Sequence, residues 1–531
     1  MLSAAVPADD AATPPEIPSV HNRRVSPRIV FWAFLAIYLL IAGLWAIGTP
    51  PMSSVDEPSH AIKAAAVVRG QLSGDQAGLR VGTGVVQVPR LFLESQSLVC
   101  TAGQPEITAT YCPPNLGQDL SETVDVTTSA VRYNPLYYAF AGLPSLFGNS
   151  ISTFYWMRLV GGLLAAWMLA LAARSLAELT GAYWPFAALL VSITPMTVFM
   201  SASINPQSVE LAGAILLWVA VLALLRSPDP DLLHRRLFRL TLATVFVANV
   251  RGLGPLLVVV IVLTGLAISR WADIVALLRS RLSWIYGAVC GLSVVAGYAW
   301  TVGADTLTMP TTEDYPALTG ETILRLTTAS TGWYTEQSIG VFGWLEVPMP
   351  DWVYLGYAGL VLVIVIAGLA FGRWREQVAI VALACLVVVL PIYAEFGQAH
   401  FIGQFWQGRY GLPIAVGVPL VAAFALQQAR PPLPGWIGRR VMITVAIPFA
   451  LLQAHALAVD IRRQVNGLSA DSPWFGWADD AWLPPLNPYL MVGACLICWL
   501  VLAALLVRAA DDSAPPGTPA DSDAVPITRI Q

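Results

Sequence analysis

Charge is scarce in this chain. Of its 531 residues only 12% are Asp, Glu, Lys or Arg, against 56% hydrophobic, and the mean hydropathy is +0.65. A soluble domain carries roughly a quarter charged residues, so these proportions exclude one and imply a polytopic membrane protein. Lysine is almost missing, Lys63 being the only one, and the arginine, alanine and valine that abound point to a GC-rich coding bias with no chemistry in it. The net charge of -4, without a basic cluster, leaves no electrostatic footprint for nucleic acid. Cysteine is rare as well. Cys495 and Cys498 form a C-x-x-C without a second pair and inside an apolar run, so they read as packing residues, as do Cys290 and Cys385. The chain shows no solenoid-type repeat. Its first apolar run follows a polar stretch of nearly thirty residues and lacks a small-x-small cleavage site, which reads as a retained anchor.

What is present in quantity is apolar runs of spanning length. A bilayer core of about 30 Å needs about 20 residues per helix. Runs of that kind fall at 29–48, 152–173, 182–203, 207–225, 237–250, 252–269, 283–302, 352–371, 378–394, 411–427, 440–459 and 488–507. The expected fold is therefore an all-α polytopic integral membrane protein of about 12 transmembrane helices. Arginine then sets the orientation, because Lys and Arg collect in short cytoplasmic loops. With Arg23, Arg24 and Arg28 inside, the even-numbered connections hold Arg174, then Arg226, Arg235, Arg236 and Arg239, then Arg270, Arg279 and Arg281. The series continues with Arg373 and Arg375, then Arg430, Arg439 and Arg440, and last Arg508. Both termini are thereby expected in the cytoplasm, in a multi-pass protein of the cytoplasmic membrane. The apolar stretch Tyr133 to Phe147 would invert that series if it crossed, so it is expected as a re-entrant or surface-lying helix outside.

Three regions result: a disordered tail over 1–28, a transmembrane domain over 29–508, and a second disordered tail over 509–531, both tails being rich in Ala, Pro, Asp and Ser. The long outer connections are 49–151, 303–351, 395–410 and 460–487. A loop of a hundred residues is seldom structureless and commonly functional. Its start, Pro58 to Gly70, has Pro in the first turn and Gly past the end, as a short helix should. Small strands and loops are expected between Gly70 and Arg132.

The candidate chemistry lies at the outer ends of the spans. Asp56 and Glu57 follow the first span directly, and adjacent extended residues point apart, so one faces a cavity while the other caps or pairs. Asp56 is equally placed to be only the N-cap of the helix behind it. His60 is near enough to bond a carboxylate or to help hold a divalent metal, the one cofactor these residues allow, though nothing demands it. Cys100 and Cys112 share the outer loop, where an oxidising compartment permits a structural disulfide. Arg132 and Tyr133 open an aromatic stretch that is otherwise an interface belt. Asn205, in Ser203-Ile204-Asn205-Pro206, and Arg251, in Asn249-Val250-Arg251-Gly252, sit in polar breaks that open on the same side. Gln407, Arg409 and Tyr410 precede a late span. The planar fork of Arg409 suits a phosphate oxygen or a carboxylate, or else a salt bridge to Glu395. The rings around Trp333, Tyr334, Phe342 and Trp344 offer flat faces to a sugar or anchor the interface.

The order of these motifs resembles a large bacterial family of polytopic proteins, DUF2142: Asp-Glu-Pro-x-His after the first span, Asn-Pro-x-Tyr-Tyr, Ser-x-Asn-Pro, Phe-Gly-Trp, and Gln-Gly-Arg-Tyr before a late span. The likeness covers about residues 29 to 508. That family in turn resembles the GT-C membrane glycosyltransferases, which take sugars from polyprenyl-phosphate donors outside the membrane. The resemblance implies a catalytic carboxylate in the first outer loop, at Asp56 or Glu57, and short surface helices within that loop. Transfer from such a donor also needs a cation at the departing phosphate, where Arg409, assisted by Arg251 or Arg132, is expected. Substrate contacts are expected at His60, Arg132, Tyr133, Asn205, Arg251, Gln407, Arg409 and Tyr410. The partners implied are the lipid bilayer, a polyprenyl-phosphate sugar donor and an envelope glycan, lipid or protein acceptor. One departure stands out: Gln207 occupies a place the family commonly gives to an acid, with Glu210 one turn later. The competing expectation is a transporter or flippase of a lipid-linked precursor, or a non-catalytic envelope scaffold. A transporter would bury ionisable residues near the midplane, where this chain has almost none.

Overall fold

Nine helices among the described residues are long and apolar enough to cross a membrane, and two bent helix pairs raise that to as many as eleven, fewer than the twelve expected. The structure, a computed structural model, describes residues 25–74, 82–112, 116–117, 119–307, 315, 317–469 and 471–512. Most of both expected tails therefore lies outside the described residues.

The differences in span count have local causes. The run expected at 182–203 is two helices, Tyr183–Ser192 and Pro195–Ser201, bent by 62°. Thr194 precedes a proline and is held extended, which breaks the helix there. The run expected at 252–269 ends early: Gly254–Ala267 has 14 residues and the chain then turns by 119° into Trp271–Leu278, none of whose residues is buried. The run expected at 237–250 is a helix, Leu233–Val250, whose first turns carry Arg235, Arg236 and Arg239. Elsewhere helices outrun their expected ends. Trp374–Ile402 has 29 residues and absorbs the first half of the connection expected at 395–410, and Gly435–Asn466 has 32. At 1.5 Å per residue the latter reaches about 48 Å, longer than a bilayer core is thick. Its last turns thus leave the apolar layer and carry Asp460 and Arg463 with them.

The axis of the bundle is Gln207–Arg226, enclosed along its whole length. Ile151–Ala177, Leu233–Val250 and Gly254–Ala267 pack against it. Small residues set these approaches: a Cβ on Gly265 would stand 2.2 Å from Val221 Cγ1, and one on Gly213 3.0 Å from Val247 Cγ2. Arg281–Gly303, Asp351–Phe371 and Trp374–Ile402 lie outermost and expose most of their apolar side chains. Buried charges gather at the two ends. One end holds Arg226 against Glu376, Arg239 against Glu178 and the buried Arg236; the other, which carries the long loops, holds Glu57, Arg158, Asp460, Arg463 and Arg409.

At that loop end the first connection is ordered. The helix expected from Pro58 to Gly70 is Glu57–Val67, and Gly70 takes φ +85° beyond it. Strands Gly84–Pro89 and Thr123–Thr128 pair antiparallel with Val86 opposite Val126. The stretch from Tyr133 to Phe147 forms two short helices, Leu136–Ala141 and Leu143–Leu146, too short to cross a bilayer. Lys63, fully buried, donates from Nζ to Leu72 O at 2.6 Å and Val131 O at 2.8 Å and so ties both ends of this layer to one helix. Cys100 and Cys112 are disulfide-bonded, while Cys290, Cys385, Cys495 and Cys498 are free.

Candidate functional site

The turn from Thr49 to Asp56 is fixed from several directions by segments far apart in the chain. Val55 N donates to Gly343 O at 3.0 Å, and Asn205 Nδ2 donates to Val55 O at 3.3 Å. Trp344 Nε1 reaches Met52 O at 3.2 Å. The Phe-Gly-Trp loop and Asn205 of the Ser-x-Asn-Pro break therefore meet this turn through its backbone.

Asp56 and Glu57 then diverge. Glu57 is fully buried and accepts four hydrogen bonds: Oε1 from Arg158 Nε at 2.6 Å and Ile204 N at 3.0 Å, Oε2 from Arg158 Nη2 at 2.6 Å and Met52 N at 2.9 Å. Arg158 spends its other N–H groups on the carbonyls of Ala46, Thr49 and Pro50. Every donor of the arginine and both oxygens of the acid are occupied, so Glu57, expected as the alternative base, is an internal strut. Arg158 itself escaped the sequence reading. An arginine within the apolar run of Ile151–Ala177 was the available signal, since such a charge demands a partner.

Asp56 occupies the N-cap position of Glu57–Val67, one of the two places expected for it, but its side chain makes no capping bond. Its backbone is left-handed, φ 63° and ψ 0°, a conformation that Asp tolerates better than most residues. The carboxylate instead accepts from Arg409 Nη2 at 2.8 Å and stays 44% exposed, while the arginine is 2% exposed. Burial pushes the Asp56 carboxyl up, but Arg409, with Arg251, outweighs it and holds the group below the usual carboxylate range.

Arg409 is positioned by what surrounds it. Its Nε donates to Gln407 Oε1 at 2.6 Å, and Gln207 Nε2 donates to the Arg409 carbonyl at 3.0 Å. An ionised acid at 207 could not donate that bond. Gln207 Oε1, buried, has no hydrogen-bond partner among the described residues. Gly408 admits the neighbouring helix Thr331–Gly340: a Cβ there would stand 1.8 Å from Tyr334 O. Gly408 N donates to Gln337 Oε1 at 2.7 Å and Ser338 Oγ donates to Gly408 O at 2.9 Å. Glu395, weighed as a partner for Arg409, accepts instead from Phe405 N at 3.0 Å and Trp406 N at 2.7 Å.

The ring of Tyr410 lies near two guanidiniums, Arg251 at 4.6 Å and Arg409 at 5.3 Å. Arg251 also donates to Glu210 Oε2 at 3.1 Å. Tyr133, Arg251, Gln407 and Tyr410 line one concavity of about 940 Å³, whose apolar side includes Leu253, Leu256, Leu390 and Phe396. His60 is buried beside this wall, edge-on to Tyr133 with ring centroids 5.4 Å apart, and its Nδ1 is 2.8 Å from Tyr138 Oη rather than on a carboxylate. Burial drives the His60 imidazole down to about 3, so it is neutral at physiological pH. Among the described residues no three His, Cys, Asp or Glu side chains form a metal-holding group. Arg132 is not brought to this cluster. It lines a separate concavity with Trp300, and its Nη1 donates to Asp305 O at 3.3 Å.

The model of a family described as "Predicted membrane protein (DUF2142)" matches residues 39–418. No curated protein matches the chain. Among solved structures, ArnT from Cupriavidus metallidurans bound to undecaprenyl phosphate is similar, with a TM-score of 0.40 and 13% identity over 90% of this chain and 76% of that one.

Proposed function

The chain belongs to the DUF2142 family of predicted membrane proteins, and we propose that it is a membrane glycosyltransferase of the GT-C kind, drawing a sugar from a polyprenyl-phosphate donor on the outer side of the cytoplasmic membrane for assembly of a cell-envelope glycan or glycolipid. One observation carries this reading: an amphipathic concavity whose polar end holds Arg251, Gln407 and Tyr410, next to a half-exposed carboxylate paired with a buried arginine. Its apolar wall comes from Gly254–Ala267 and Trp374–Ile402, helices whose outward faces expose Leu256, Leu263 and Tyr393. A prenyl chain can lie against such a wall while its phosphate meets the guanidiniums.

In the transfer, the acceptor hydroxyl oxygen attacks the anomeric carbon, the bond from that carbon to the phosphate oxygen breaks, and its electron pair leaves with the polyprenyl phosphate. Asp56 receives the hydroxyl proton as the oxocarbenium-like centre develops. Arg409 and Arg251 meet the charge growing on the phosphate, and their fixed supports reduce reorganisation. A carboxylate held low by Arg409 is a weak base while the site is empty. When a donor phosphate shares that guanidinium, the pull on Asp56 slackens and its basicity rises. The phosphate leaves without protonation, so one carboxylate suffices.

The transport alternative lacks a charged path among the described residues: buried ionisable side chains sit at the two ends of the bundle with an apolar middle between them. The deciding experiment compares a deletion strain complemented with wild type, Asp56→Asn or Arg409→Lys, measuring envelope glycans and accumulated polyprenyl-phosphate sugar. Asp56→Asn should abolish transfer and accumulate donor while the protein remains inserted; full activity would remove Asp56 from the chemistry. Arg409→Lys should weaken donor use, because a point charge cannot replace the planar fork.

A further inference from the structure

A second concavity of about 310 Å³ opens on the loop end of the bundle, built from parts that the transfer chemistry leaves unused. Its floor is the turn that carries Asp56, on the side of Pro50, Pro51 and Ser53. One wall is the loop closed by Cys100–Cys112. Arg463 fixes that loop from within, donating to the carbonyls of Thr101, Gln104 and Ile107 at 2.8, 3.0 and 2.6 Å. The opposite wall is the segment after Gly435–Asn466, attached where Trp482 N donates to Thr110 Oγ1 at 2.7 Å. Tyr155 completes the ring of walls, its own ring 5.7 Å from the Arg158 guanidinium that also holds Pro50 O. The pocket is thus formed before any ligand arrives.

Its lining sets the ligand class. Tyr155 and Trp482 supply aromatic surface, Asp480 a carboxylate, and Ser53, Thr101 and Thr110 hydroxyls, with no Lys or Arg among the lining residues. Aromatic faces receive the C–H side of a pyranose, and a carboxylate accepts strong hydrogen bonds from its vicinal hydroxyls. A lone carboxylate without a cation disfavours phosphates and acidic sugars. The volume is at the low end of the roughly 300–1,000 Å³ range of ligand pockets, which suits one or two rings and not a polyprenyl chain. We propose that this pocket binds a short neutral saccharide, the glycan end of the acceptor. The turn 49–56 would then present the acceptor on the Ser53 side and the base at Asp56; this last step rests on the transferase reading.

The test uses the full chain in nanodiscs, with the methyl glycosides of glucose, galactose, mannose and arabinose as probes in saturation-transfer NMR. At least one should bind, and Asp480→Asn and Trp482→Leu should each weaken it tenfold or more. Asp480 is exposed, so its amide variant keeps the fold even where the tryptophan variant does not. Asp56→Asn and Arg409→Lys should leave glycoside binding within twofold of wild type. Silence from all four glycosides, or equal binding by Asp480→Asn, overturns the site. So does binding of N-acetylarginine amide alone, which would assign a cationic ligand. If envelope glycans are normal in the Asp56→Asn strain while glycoside binding still depends on Asp480, the transferase reading fails and the saccharide site stands.

Discussion

Two ion pairs lie side by side at the end of the first helix, and they are built to different standards. Around Glu57 and Arg158 every donor and acceptor is matched, both side chains are within 1% of full burial, and five of the bonds run to or from the pair's surrounding backbone. Around Asp56 and Arg409 a single bond joins the charges, the acid is 44% exposed, and a neighbouring amide oxygen at Gln207 has no hydrogen-bond partner among the described residues. The completed pair has no capacity left for a ligand, whereas the incomplete pair has. Acids of nearly equal chemistry, adjacent in sequence, are thereby divided between holding the turn and staying part-exposed beside a buried arginine.

The sharpest way to break this comparison is to damage the completed pair. Glu57→Gln puts an amide donor against guanidinium and backbone donors and should cost about 3–5 kcal/mol, the range for breaking a buried pair. Thermal unfolding and the amount of folded protein recovered from membranes measure it, and a variant of wild-type stability would return Glu57 to the list of bases. Next comes Gly408→Ala, where the added methyl overlaps Tyr334 O. Overpacking of this kind costs about 1–3 kcal/mol, and because it displaces Arg409 the loss in donor affinity should exceed that of a distant variant of equal stability.

Acid should act on the wall behind the incomplete pair. His60 titrates near 3 in the folded protein against about 6.5 unfolded, so its neutral form contributes stability above the unfolded value. That contribution is lost as pH falls from about 6.5 toward 3. His60→Gln should flatten the decline, read as melting temperature against pH. Asp56 is also depressed, so its contribution persists until the pH drops below the usual carboxylate range. The smallest expected effect on stability is that of Asp56→Asn, under about 1.5 kcal/mol, since Asn still accepts from Arg409 and suits the left-handed backbone. A loss as large as that of Glu57→Gln would erase the distinction between the two pairs.

Much of the site was legible because its motifs lie at the ends of apolar runs. Asp56, Arg251, Gln407 and Arg409 stand out wherever long hydrophobic stretches give way to charge, and the arginine count grouped those ends on one face. What stayed hidden was pairing. Arg158 drew no notice inside its span, and Glu395, the alternative partner weighed for Arg409, lies fourteen residues before it with nothing in the spacing to show where its carboxylate goes. The helix Trp374–Ile402 runs past its expected end and turns Glu395 to the backbone of Phe405 and Trp406 instead. The bent pair at Ser192 and Pro195 had a visible proline, but whether a proline bends or ends a span depends on its packing neighbours.

By itself the sequence determined that this is a helical membrane protein with charged chemistry confined to the ends of its spans, because bilayer thickness and backbone satisfaction leave apolar runs no other use. It also determined which short motifs were out of place in such a chain. Only the tertiary structure decided which acid was spent on the fold. That choice depends on four donors drawn from residues 52, 158 and 204, and on Gly408 letting a helix come close enough for Arg409 to reach Asp56. Such convergence is a property of three-dimensional contact, and no spacing along the chain encodes it.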